Sequence, residues 1–131
     1  MKAKVAAEFF GTASLLTIVA GSGIMGETLA QGNAAIALLA NSLATGAGLF
    51  VLIQCLGSIS GAHFNPVVSL VEWKWGRLKS KDLVAYWLAQ FSGAILGIWI
   101  AHVMFGLPIL QVSTKNRAGL HLYFSEFIAT A

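Results

Sequence analysis

From Thr28 to Val71 the chain carries no Asp, Glu, Lys or Arg, a run of 44 residues. A helix crossing the hydrocarbon core of a bilayer needs about 20 residues. Ala34 to Gly57 supplies one such crossing. The remainder, Ser58 to Val71, is 14 residues long. That is too short for a second crossing and falls in the length class of re-entrant segments. Inside it lies Ser60-Gly61-Ala62-His63-Phe64-Asn65-Pro66-Val67. Asn is a favoured N-cap, and Pro at the first helical position loses no hydrogen bond. The sequence therefore starts a helix at Asn65, in the middle of a membrane-length apolar run.

Composition agrees with a membrane setting. Of 131 residues, 57% are hydrophobic and 10% charged, against about 25% charged in soluble domains. Three spans are expected, at about 5–26, 34–57 and 83–105, with the re-entrant loop and half-helix at about 58–73. Leu122 to Ala131 turns apolar again. Lys2, Lys4, Lys74, Arg77, Lys79 and Lys81 flank the spans on one side, whereas only Lys115 and Arg117 occupy the 106–121 connection. The excess of Lys and Arg places the N-terminus and the 72–82 segment in the cytoplasm. That orientation requires 58–73 to enter and leave on the same side. The net charge of +3 sets orientation and gives no nucleic-acid face. A cleaved signal peptide after Met1-Lys2-Ala3-Lys4 is the competing reading of the first span; Glu8 sits badly in its apolar region.

Ala7-Glu8-Phe9-Phe10-Gly11-Thr12-Ala13 is similar to Ser125-Glu126-Phe127-Ile128-Ala129-Thr130-Ala131. Glu8 and Glu126 are intramembrane carboxylates, which are rare. An odd number of spans between two copies makes the second run the opposite way through the bilayer, as in the inverted repeats of channels and transporters. Residues 1–121 read as one repeat and 122–131 as the start of the next. The sequence is expected to be a fragment.

The half-helix from Asn65 would be about 13 Å long, roughly half the hydrocarbon thickness. Its first N–H groups carry a partial positive charge. The Asn65 side-chain oxygen is placed to cap Val67 or Val68, leaving its NH2 for a cavity. Gly61 to Phe64 would be extended, with free carbonyls. Such backbone is tolerated at that depth only when buried in protein or lining water. A row of acceptors, one fixed donor and a positive dipole suit neutral hydrogen-bonding solutes and repel cations. A Pro-kinked transmembrane helix is the plainer alternative. Glu8 and Glu126 either brace the loops or relay protons. His63 either bonds a glutamate and fixes the loop or exposes its ring. His102 reads as an interfacial or satisfied core histidine, and His121 sits at the loop end. Gly93 and Gly97 form a small-xxx-small contact, and Gly11, Gly46 and Gly48 are expected to act similarly. No metal-ligand cluster, phosphate loop or nucleophile arrangement occurs, so neither an enzyme nor a bound cofactor or metal is expected.

These residues resemble the major intrinsic protein family, the aquaporins and aquaglyceroporins. Ala7 to Thr12 is similar to the start of the family's first helix, Ser60 to Val67 to its first Asn-Pro-Ala loop, Ala89-Gln90-Phe91-Ser92-Gly93-Ala94 to its third helix, and Ser125-Glu126-Phe127 to the start of its fourth. The resemblance implies an all-α integral membrane protein of the bacterial inner membrane. It would hold one aquaporin-like repeat of three transmembrane helices plus a re-entrant half-helix, and the start of an inverted second repeat. It implies passive conduction of water or small neutral solutes and a homotetramer. Asn65 would be one of two pore asparagines. The carbonyls of Gly61, Ala62 and His63 would line the pore, Pro66 and Val67 would start the half-helix, and Glu8 and Glu126 would orient the loops. A second Asn-Pro loop is expected about 118 residues beyond Asn65, by the spacing of the two glutamates.

Two departures stand out. Val67 replaces the usual alanine after Asn-Pro. Thr45, by ungapped count from Asn65, stands where water-selective members place an aromatic filter residue. A threonine widens that filter and points to glycerol-like polyols or neutral metalloid hydroxides such as arsenite. Two other readings remain open on the residues alone. One is a proton- or ion-coupled carrier using Glu8, Glu126 and His63. The other is a membrane assembly subunit without transport.

Overall fold

A computed structural model describes residues 1–111 and 119–130. Among these it has five helices and no strand: α1 (Lys2–Leu29), α2 (Ala34–Ser60), α3 (Pro66–Lys74), α4 (Ser80–Met104) and α5 (Leu120–Thr130). Lys115, Arg117 and Ala131 lie outside the described residues. Helices α1, α2 and α4 are long and apolar enough to cross a membrane. At 28, 27 and 25 residues they measure about 42, 40 and 37 Å, so each exceeds the roughly 30 Å hydrocarbon core. The third long helix begins at Ser80, where Asp82 joins the first turn and meets the positive end of the dipole.

Helix ends follow local chemistry. Asn33 Oδ1 accepts from Ala35 N at 3.1 Å and Ile36 N at 3.2 Å and so starts α2. The turn before it is made by Gln31 and Gly32, both at positive φ (48° and 88°). Helix α2 runs three residues beyond Gly57, to Ser60, because Gly57 is helix-compatible and the first left-handed residue is Gly61 (φ 92°). Gly61 N donates to Gly57 O at 2.9 Å, closing the end.

Helix α1 is central. It packs on both α2 and α4, and α3 packs on α4. Among the described residues α5 packs on none of them. The α1–α4 seam is built from small residues. Ala89, Gly93, Gly97 and Ala101 recur every four positions and are buried. A side chain on Gly93 would run into Phe9 O, and one on Gly97 into Ala13 O. Thr17 Oγ1 bonds to both Ala13 O (2.8 Å) and Gly97 O (3.0 Å) across the seam. The other glycines divide. Gly48 meets Ile18 of α1, as a packing glycine should, but Gly46 faces open space. Gly11 does not serve a helix contact; the Phe64 ring occupies the place of its missing side chain.

The polarity is that of a membrane protein. Leu38, Leu43, Phe50, Leu88 and Val103 are all more than half exposed, while Glu8, Thr12, Ser60, Ser69 and Gln90 are buried. In lipid, polar groups must find partners inside the protein. Their arrangement defines the site.

Candidate functional site

Helix α1 brings Glu8 to the point where α2 ends, and the side chain is 0% exposed. Four groups donate to it. Oε1 accepts from Ser60 Oγ (2.6 Å) and His63 N (3.0 Å). Oε2 accepts from Phe64 N (2.8 Å) and Gln90 Nε2 (2.9 Å). An ionised carboxylate is acceptor-only and holds about four such sites, so this one is filled. It ties α1 to the last residue of α2, to the backbone of the loop and to α4.

The loop that Glu8 holds is not extended. Gly61, Ala62 and Phe64 all have positive φ, at 92°, 50° and 47°. For Ala62 and Phe64 this is a sparsely populated conformation, costing of order 1–3 kcal/mol each and persisting only where the surroundings fix it. The fixing contacts are visible. Ala62 N donates to Ser60 Oγ at 3.1 Å, and Phe64 is held by Glu8 and by its ring in the Gly11 notch. Among the described residues no hydrogen bond ends on the carbonyl oxygens of Gly61, Ala62 or His63.

After the loop, Asn65 caps α3. Its Oδ1 accepts from Val67 N at 2.8 Å, and Pro66 takes the first helical position. The cap uses the amide oxygen and leaves the NH2 as donor; Asn65 and Val67 are exposed. Trp87 Nε1 donates to Pro66 O at 2.9 Å, pinning the first turn of α3 to α4.

His63 meets Glu8 through its backbone N–H alone. Its ring goes elsewhere: Nδ1 lies 3.0 Å from Ser69 Oγ, and the ring stands edge-on to Tyr86 at 5.2 Å. Ser69, fully buried on α3, also contacts Asn65 O (3.2 Å) and accepts from Gln90 Nε2 (2.9 Å). Tyr86 Oη donates to Ser60 O at 2.8 Å. Gln90 gives both of its N–H donors to Glu8 and Ser69; its Oε1 and Thr12 Oγ1 are buried without a hydrogen-bond partner among the described residues.

Sequence reasoning missed Ser69, Tyr86 and Trp87 altogether, and took Gln90 only as part of a resemblance. One signal was available. Tyr86 and Gln90 are four apart in an apolar span, hence on one face, and a glutamine there needs a partner. Thr45 stands apart from the loop network, half-buried on α2, with its hydroxyl 3.3 Å from Asn41 Oδ1. Glu126 lies exposed on α5.

A family model described as Major intrinsic protein matches residues 1–131. The chain belongs to the major intrinsic protein family. It is 51% identical over 123 residues to an aquaglyceroporin, AqpS, of Rhizobium meliloti (strain 1021), covering 94% of this chain and 52% of that protein. It is 42% identical over 101 residues to Aquaporin Z of Brucella melitensis biotype 1, covering 77% of this chain and 43% of the relative. Mouse Aquaporin-8 is 45% identical over 67 residues, 51% of this chain and 26% of its own length. The chain thus spans about half the length of the two bacterial relatives.

The network has a local consequence within this family member. Tyr86→Phe removes the donor to Ser60 O and leaves the packing in place. Hydrogen bonds between membrane helices are worth about 1 kcal/mol. The expected result is a protein that still inserts and purifies, with a thermal midpoint a few degrees lower, read by tryptophan fluorescence in detergent.

Proposed function

We propose that this chain supplies the first half of a passive channel for water and small neutral solutes. The observation that carries the reading is the Gly61–Asn65 segment. Three carbonyls without hydrogen-bond partners among the described residues lead to an exposed Asn65, whose NH2 is left to donate at the N-terminus of a half-length helix. Acceptors followed by one fixed donor and a positive dipole pass neutral molecules one hydrogen bond at a time and disfavour cations. Glu8 acts as the brace of this segment: two of its four acceptor sites hold the loop N–H groups of His63 and Phe64, and the other two tie it to Ser60 at the end of α2 and to Gln90 of α4. Glu126 is assigned the same role toward the second loop of the full-length protein. The N-terminus is placed in the cytoplasm by the charge distribution, and the working form is a homotetramer in the bacterial inner membrane.

Thr45 is assigned to the outer filter, where its small side chain admits polyols or neutral metalloid hydroxides as well as water. That one relative is named an aquaglyceroporin supports the wider class. The carrier reading finds no support: the Glu8 carboxylate is taken up by four donors within the fold.

The test is light-scattering of proteoliposomes holding the full-length protein. Water and glycerol flux should exceed bare liposomes by about tenfold or more without any accompanying current. Asn65→Ala should lower that flux severalfold while the protein stays folded. Proton-coupled current, or flux no faster than bare lipid, would overturn the proposal.

A further inference from the structure

The polar group on the α1–α2 seam takes no part in the Glu8 network. Asn41, Thr45 and Gly48 are spaced i, i+4, i+7 on α2 and so share a face. At Gly48 and Asn41 that face meets α1, since Gly48 lies against Ile18 and Ser22 Oγ is 2.8 Å from Asn41 Oδ1, while Thr45 beside them stays half-exposed. The same Asn41 oxygen accepts from Thr45 Oγ1 at 3.3 Å. Asn41 also lines an open cleft with Gly23, Glu27 and Asn33. A helical threonine divides between two χ1 positions. A hydroxyl fastened to a side chain one turn earlier selects one of them. When the hydroxyl proton is given to Asn41, the Thr45 oxygen has only acceptor sites left to offer.

We propose that Asn41 is a positioning residue for solute selection: it holds Thr45 in one rotamer, and thereby fixes both the width of the filter at that point and its character as an acceptor. The inference rests on the assignment of Thr45 to the filter. Solutes rich in hydroxyl donors are then favoured at this position over solutes that only accept.

The experiment is a double-mutant comparison in the full-length protein, reading the ratio of glycerol to water permeability in proteoliposomes. Thr45→Val is expected to change that ratio about threefold or more. Asn41→Leu is expected to change it at least twofold, with water flux retained. In the Thr45→Val background Asn41→Leu should add nothing, because no hydroxyl remains to be placed. Asn41→Ala is read in the same way should the leucine variant not reach the membrane. An Asn41 variant that lowers the thermal midpoint yet keeps the wild-type ratio, or one whose effect is equal in both backgrounds, overturns the positioning role and leaves Asn41 a tie between α1 and α2. If Thr45→Val itself leaves the ratio unchanged, the filter assignment fails and the inference falls with it.

Discussion

Glu8→Gln is expected to prevent the protein from accumulating as a folded species. Glutamine keeps one acceptor oxygen and replaces the other with an NH2 donor. Whichever way the amide turns, a backbone N–H that cannot reverse its role now faces a donor, His63 N on one side or Phe64 N on the other, and Ser60 Oγ or the Gln90 amide must turn to accept at the expense of its present bonds. Each buried donor left unsatisfied costs about 1–3 kcal/mol. The left-handed Ala62 and Phe64 lose part of what fixes them. Together these losses are a large part of the marginal stability of a small domain, about 5–15 kcal/mol. The measurement is the yield of monodisperse protein after mild detergent extraction, with a fold reduction of ten or more expected. A carrier using Glu8 for proton exchange would behave differently, giving a well-folded protein that has lost only coupling. Normal yield and midpoint for Glu8→Gln would therefore count against the brace.

The second large effect concerns the α1–α4 seam. Gly93→Ala combined with Gly97→Ala puts two methyl groups where Phe9 O and Ala13 O already stand. Backbone cannot yield as a side-chain tip does, so the helices must separate. Overpacking costs about 1–3 kcal/mol per site, and separation also stretches the Thr17–Gly97 bond of 3.0 Å. Gln90 lies one turn from Gly93, so its bonds to Glu8 and Ser69 are disturbed too. The double variant is expected to aggregate or to melt more than 10 °C below the parent. Gly46→Ala, where nothing lies within 4 Å, should melt with the parent and serves as the control. Equal midpoints for both variants would show that the seam is not close-packed.

Much of this architecture is legible in the chain because a membrane simplifies the physics. Length and charge alone separate three long helices from one short apolar segment. Asn65-Pro66 marks the start of α3, since both residues suit a helix N-terminus for local reasons. The loop before it was less legible. Its expected extended form gave way to three left-handed residues, because tertiary contacts to Glu8 and the Gly11 notch override local preference at Ala62 and Phe64. The role of Gly11 was hidden for the same reason: a glycine in an apolar helix does not say whether it admits another helix or an aromatic ring. The His63 ring could not be assigned either, since its partner Ser69 is an ordinary residue in sequence and becomes informative only when α3 folds beside α4.

The bonds to Glu8 span 52 to 82 residues of chain. During synthesis the first span reaches the bilayer with its carboxylate still lacking every partner. At about 5–20 residues per second, the stretch up to Gln90 follows only some 4–16 s later. Until then a carboxylate must be sheltered by water at the membrane surface or by the insertion machinery. The order of assembly is thereby set by chain direction: α1 waits, the turn at Ser60 arrives and captures one oxygen, and α4 completes the second. A variant that slows emergence of α4 should leave the first two spans exposed to proteolytic quality control while the finished protein remains as stable as before.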